Sequence, residues 1–343
     1  MSLSIMVVAV ILISLFFTFT NGIHDASSMV ATPIACGAMT PRAAVAYASV
    51  IGFAGAVLGG SAVASTVGSI ITPEHGQGFV SILLASVLTA TIWNLVTWRM
   101  HLPSSSTHAL IGGMIGAAIS AGGGGRVFWG WDELAGPSHH LAGLTKVLVF
   151  LLVSILIGMV LGYLLQKMLS FVLRNSTKRA NVPIRRAQLL TAAVLAFGHG
   201  ANDTQKQMGI ILLALVAGSY VGASAGIPLW VRMAAGAMMA VGTLGGGWSI
   251  MKTLGRGIFR LEPIHSLDSQ IAASSSLVAS TLVGAPVSTT QVVASSIMGV
   301  GAAENAKMVQ WSVGKEILVA FLITIPATMA LSAILYYLIV MVP

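Results

Sequence analysis

The chain has 343 residues, of which 56% are hydrophobic and 8% charged, with a net charge of +8 and a mean hydropathy of +0.92. A water-soluble domain covers itself with about a quarter charged residues, so this composition excludes one and makes lipid the main solvent. The single cysteine, Cys36, excludes an internal disulfide and a multi-cysteine metal cluster.

Met1–Thr20 is almost wholly apolar and lacks the positive leader region of a secretory signal, so it reads as a retained span. A spanning helix needs roughly 20 apolar residues. Segments that meet or approach this are Met1–Met39, Ala43–Ile71, Phe79–Trp98, Thr107–Ser120 and Val147–Phe171. A polar loop, Arg174–Gln188, separates them from Leu189–Ser219, Leu229–Met251, Ile271–Val283, Val287–Val300 and Glu316–Val342. The first and sixth segments exceed one plain span and are interrupted by polar residues. The short ones next to Pro103 and Pro286 are either full crossings or limbs of re-entrant hairpins.

Lys167, Arg174, Lys178, Arg179, Arg185 and Arg186 cluster around the central loop, which the positive-inside rule makes cytoplasmic. Counting outward, Arg42, Arg99, Lys252, Arg256, Arg260, Lys307 and Lys315 fall on the same side. Arg126, Lys146 and Arg232 fall opposite, and Lys206 lies within a span. The placement of the positive charge therefore argues for a membrane and against a nucleic-acid partner. Both termini are expected outside the cell, in a multi-pass protein of the cell (inner) membrane.

Each half has an odd number of crossings, so the halves are expected upside down relative to each other. Asn21-Gly-Ile-His-Asp25 answers His199-Gly-Ala-Asn-Asp203 at an offset of 178, and Pro103-Ser-Ser-Ser-Thr-His108 answers Pro286-Val-Ser-Thr-Thr-Gln291 at 183. Gly116 and Gly299 keep the second offset. Two motif pairs in one order indicate duplication. The expected fold is an all-α membrane protein of two inverted-topology repeats with discontinuous helices, 1–173 and 189–343, joined by the basic loop 174–188. Secondary transporters have this architecture, with a site near the midplane.

An ionised carboxylate in mid-bilayer costs at least ~2.5 kcal/mol, so Asp25 and Asp203 each need a partner. Gly22 and Gly200 beside them allow the helices to unwind and free carbonyls for a hard cation, with Asn21, His24 and Asn202 adding polar side chains. This oxygen-rich set suits sodium better than a soft transition metal. Capping a helix, or pairing of Asp203 with Lys206, is the plainer alternative. Lys206 either neutralises Asp203 or contacts the anion, and Gln207 beside it is a further candidate.

Proline favours the first turn of a helix. Ser104, Ser105, Ser106 and Thr107, and in the second half Ser288, Thr289 and Thr290, therefore sit where helices begin. Helix N-termini offer unpaired N–H donors and partial positive charge to an anion, and hydroxyls add donors without fixed charge. Plain N-capping explains one such run; two inverted copies facing a common centre favour an anion site. No cofactor is expected beyond coupling sodium ions.

These four motifs, with Phe197-Gly-His-Gly-Ala-Asn-Asp203-Thr-Gln-Lys-Gln-Met-Gly209 at their core, resemble the inorganic phosphate transporter family over both halves of the chain. The resemblance implies symport of phosphate with sodium or protons, an inverted duplicated fold and a homodimer. It assigns Asp25, Asp203, Asn21 and Asn202 to cations, and Ser105, Thr107, Ser288 and Thr290 with their neighbours to phosphate. Ser27-Ser28 and Gln291 depart from the usual pattern, and a branch of the family carries sulfate. Proton or metal-phosphate coupling, an intramembrane aspartyl protease and a channel are the competing readings.

Overall fold

The computed structural model describes residues 2–100, 104–137, 139–246 and 257–341. Pro103, Lys252, Arg256 and the ends of the segments expected to start at Met1, to reach Met251 and to reach Val342 lie outside the described residues. Twelve α-helices carry the described chain: α1 (Leu3–Ala35), α2 (Pro41–Leu58), α3 (Ala62–Gly68), α4 (Gln77–Arg99), α5 (Ser106–Gly122), α6 (Trp131–Ala135), α7 (Gly143–Val172), α8 (Asn181–Ala217), α9 (Leu229–Gly245), α10 (Pro263–Leu282), α11 (Thr289–Asn305) and α12 (Trp311–Met341).

Local chemistry sets several of these starts. Thr40 accepts a hydrogen bond from Ala43 N at 3.4 Å, with Pro41 at the first helical position. Ser105 does the same for His108 N at 3.3 Å. Glu262 and His265 close a reciprocal cap around the start of α10, again with proline leading.

α1, α2, α4, α7 and α12 are long and apolar enough to cross a membrane. They turn large apolar side chains outward, among them Leu12 and Phe16 on α1, Leu156 and Val160 on α7, and Leu322 and Leu338 on α12. The polar residues, including Asn21, Asp25, Asp203 and Lys206, are buried inside. A surface greasier than parts of the interior is the pattern that lipid imposes. The chain is a multi-pass membrane protein.

Packing between helices comes in matched pairs. α1 lies on α9 as α8 lies on α2; α5 lies on α12 as α11 lies on α7; α1 meets α4 as α8 meets α10. Glycines allow these approaches, since small residues let backbones close in membranes. A Cβ added at Gly116 would meet the backbone of Met329, and one at Gly299 that of Met159. Ser332 Oγ adds a hydrogen bond to Gly113 O across the α5–α12 seam, at 2.7 Å.

Four local expectations change. The span expected over Ala43–Ile71 is two helices, α2 and α3, broken where Gly60 takes φ +86°. The polar stretch Arg174–Gln188 is loop only in its first part, because α8 starts at Asn181. Pro183 falls in the first turn, where an N–H has no intrahelical partner to lose. α10 starts at Pro263, ahead of the apolar run expected from Ile271. Finally, α1 and α8 run unbroken through Gly22 and Gly200. Those glycines are contact points: a Cβ at Gly22 would lie 2.9 Å from Thr243 N on α9, and one at Gly200 2.9 Å from Gly52 Cα on α2. The interruptions fall instead ahead of α5, and between α10 and α11 over residues 283–288. α5 and α11 have 17 residues each, about 25 Å of helix against a hydrocarbon core of about 30 Å.

Candidate functional site

Asn21, Asp25 and Ser28 on α1 follow i, i+4, i+7 spacing and therefore share one face. His199, Asp203 and Lys206 do the same on α8. The two faces meet the starts of α5 and α11. All six side chains are buried, as are Ser104, Ser105, Ser106, Thr107, Ser288, Thr289 and Thr290.

Asp25 Oδ1 accepts a hydrogen bond from Thr290 Oγ1 at 2.9 Å and lies 3.3 Å from His24 Nδ1. Ser28 Oγ is 2.9 Å from the same threonine hydroxyl. Asp203 is more heavily engaged. One carboxylate oxygen pairs with Lys206 Nζ; the other accepts from Thr289 Oγ1 at 2.6 Å and lies 2.6 Å from His199 Nδ1. Lys206 Nζ also donates to Thr107 Oγ1 at 2.6 Å and to Val287 O at 2.7 Å. One ligand atom each from Asp25, His199 and Asp203 falls within 4.8 Å of the others. Two carboxylates and an imidazole at that spacing can hold a single cation between them, with hydroxyls at hand for an anion beside it.

The hydroxyl runs thus reach across the molecule. Thr290, from the second half, meets Asp25 of the first, and Thr107, from the first, meets Lys206 of the second. Both runs stand at helix starts, where the α5 and α11 dipoles present their positive ends. Other expected residues have other occupations. Asn202 turns its amide to the loop before α11, accepting from Val287 N at 3.2 Å and donating to Ala285 O and Thr281 Oγ1 at 3.0 Å each. It holds the second hydroxyl run in place and does not face the carboxylates. Gln207, with its amide oriented to satisfy its neighbours, folds back onto the carbonyls of Asp203 and Thr204. Ser104 Oγ accepts from Trp93 Nε1 at 2.9 Å. Asn21 is fully buried with neither amide atom hydrogen-bonded, so its oxygen can accept and its N–H2 can donate to a further partner.

His199 and Ser28 belong to the cluster and are not among the ligands expected from sequence. The repeat offset contains the signal, since 178 maps Asn21 to His199 and Ser28 to Lys206 at the same helical spacing.

The likeness to known proteins runs over the same residues. The model of a family described as "Phosphate transporter family" matches residues 21–332. A Bacillus subtilis protein described as "Probable low-affinity inorganic phosphate transporter" is 35% identical over 341 residues, covering 99% of each chain. A protein of the same description from Rhizobium meliloti is 36% identical, over 97% of this chain and 96% of its own. Among solved structures, one described as "The sodium-dependent phosphate transporter" superposes with a TM-score of 0.79 at 24% identity, over 98% of this chain and 100% of that one; it shares the fold. Matched from the asparagine ahead of its first buried aspartate to the last helix, and end to end with its relatives, this chain belongs to the phosphate transporter family.

Proposed function

We propose that this chain imports inorganic phosphate by symport with sodium through alternating access, using two inverted repeats, 1–173 and 189–343, joined at the basic segment 174–188. The observation that carries the proposal is the buried cluster in which two acidic helices meet two hydroxyl-bearing helix starts. Phosphate is assigned to Ser104, Ser105, Ser106, Thr107, Ser288, Thr289 and Thr290, and sodium to Asn21, His24, Asp25, Asp203 and His199. Asn202 positions the second hydroxyl run. The matched helix pairs support the repeat, because α1–α9, α5–α12 and α1–α4 recur as α8–α2, α11–α7 and α8–α10 when each helix is exchanged for its counterpart in the other half. The names of the relatives support phosphate, and the name of the structural neighbour supports sodium.

Charge gives an independent reason for a coupling cation. Bringing each negative charge into a cell costs about 2.3 kcal/mol per 100 mV, and two carboxylates beside the site repel the anion further. A metal cation between them offsets both. By linkage, sodium and phosphate then tighten each other by one factor. A protease dyad, by contrast, needs two aspartates sharing a proton, whereas Asp203 here is already paired with Lys206 and the family is one of transporters.

Proteoliposomes with sodium and proton gradients imposed separately test this reading. Sodium alone is expected to drive phosphate accumulation, and Asp25→Asn to lower the initial rate by a factor of about 10 or more. Accumulation driven by protons with no response to sodium moves the coupling to protons. A preference for sulfate over phosphate in the same vesicles would sink the substrate assignment.

The proposed setting is a homodimer in the inner membrane, termini outside. A cysteine introduced at Ser176 should then react only with reagents that reach the cytoplasm, and the detergent particle should contain two chains by light scattering. External labelling, or a single-chain particle, contradicts the respective part.

A further inference from the structure

We infer that Lys206 is a tethered coupling ion: its ammonium permanently occupies the second of two equivalent cation positions, leaving one exchangeable cation, at the position that Asp25 lines. The inference rests on the symport reading above and specifies its stoichiometry.

Lys206 Nζ has three hydrogens, and three oxygens receive them: the Asp203 carboxylate, Thr107 Oγ1 at 2.6 Å and Val287 O at 2.7 Å. A carboxylate, a hydroxyl and a backbone carbonyl converging on one point are the ligand types that a hard cation takes. The lysine is 2% exposed and reaches that point from one turn along the same helix as the aspartate. A lysine whose only task was to neutralise Asp203 would not require the other two acceptors, one of them from the opposite half of the chain.

The repeat identifies the matching point. The offset of 178 carries Asp203 to Asp25 and Lys206 to Ser28. The offset of 183 carries Thr290 to Thr107 and Val287 to Ser104. The first-half counterpart therefore has Asp25, Thr290 Oγ1 and the Ser104 carbonyl, with Ser28 where the second half has its lysine. Two of those contacts are present in the structure: Thr290 Oγ1 donates to Asp25 at 2.9 Å, and Ser28 Oγ lies 2.9 Å from Thr290 Oγ1. A serine hydroxyl brings an oxygen and no charge. One half thus supplies its own cation, and the other must take one from solution. Asn21, buried with both amide atoms unpaired, stands one turn from Asp25 on that second side.

The consequence is quantitative. A tethered charge does not cross the membrane with the cargo, so each phosphate moves with one cation fewer than a site in which both positions bind from solution. The accumulation that a given cation gradient supports falls by one power of that gradient.

Initial uptake into proteoliposomes, measured against the concentration of the driving cation, tests this. The wild type is expected to give a Hill coefficient of about one, and Lys206→Ser, which gives the second half the residue of the first, a coefficient approaching about two with a higher half-saturating concentration. A coefficient of two or more in the wild type overturns the inference. So does a Lys206→Ser protein that transports with a coefficient still at one, or that is folded yet inactive at saturating cation. Should that variant fail to fold, the charge moved per phosphate by the wild type, read from the reversal potential, decides between one exchangeable cation and two. If sodium does not drive uptake at all, the sodium assignment fails on its own account, and the same coefficient is read against protons.

Discussion

Asp203→Asn is expected to destabilise the protein more than any other single polar substitution at the site. The carboxylate is buried, and three groups converge on it: the Lys206 ammonium, His199 Nδ1 and the Thr289 hydroxyl. Asparagine keeps the shape and removes the charge, leaving an ammonium in the protein interior with only neutral acceptors. Breaking a buried ion pair from one side costs about 3–5 kcal/mol, whereas replacing both partners with apolar or neutral groups is often close to neutral. Lys206→Met added to Asp203→Asn should therefore recover most of the folded yield and thermal midpoint that Asp203→Asn alone loses, though not transport. Size-exclusion profiles and melting in detergent report both. A single variant that melts within a few degrees of wild type, or a double variant no better than the single, would show that the pair is not what holds this part of the fold.

Gly200→Val is the second large effect, and its cause is steric. On α8, Gly200 faces the backbone of Gly52 on α2, so that even a first side-chain carbon would lie 2.7 Å from the Gly52 carbonyl carbon. No flexible side chain can move aside, because the obstacle is main chain on both helices. Overpacking in a close-packed interior typically costs about 1–3 kcal/mol where side chains can adjust, and separating two helix backbones lies at or beyond the upper end. Since Asp203 sits on the next turn, transport should be lost along with stability. Gly125→Val is the control: nothing lies within 4 Å of a Cβ there and its φ is ordinary, so the change should stay within about 0.5 kcal/mol. Equal melting temperatures for the two variants would contradict the packing argument.

Much of this is legible in the sequence, for identifiable reasons. Apolar length marks the spans because lipid demands it, and Asp25 and Asp203 stand out because carboxylates in apolar segments need an explanation. Proline followed by hydroxyls marks the starts of α5 and α11, where Ser105 and Ser288 stand as the N-cap residues. What fails are inferences from a residue type with two uses. Gly22 and Gly200 can loosen a helix or admit a neighbour, and only the neighbours, Thr243 and Gly52, tell which. Asn202 can face an ion or staple a loop, and the staple depends on Ala285 and Val287, more than eighty residues away. His199 escapes notice as a ligand because a buried imidazole alone is ambiguous; its meaning comes from lying one turn before Asp203, where the repeat offset sets it opposite Asn21. Lys206 cannot be assigned from sequence because its contact with Thr107, a residue of the first half, exists only after the halves come together.

The exchange of partners between halves also bears on how the molecule is made. α5 leaves the ribosome early, with Gly112 and Gly116 on one face, but the surface that fits them is on α12, at Ile325, Thr328 and Met329, where Ser332 also reaches the Gly113 carbonyl. Until α12 is made, that face must wait against lipid or a transient companion. The first hydroxyl run therefore reaches its working position only after α12 has been made, so the site cannot be complete before the second half is.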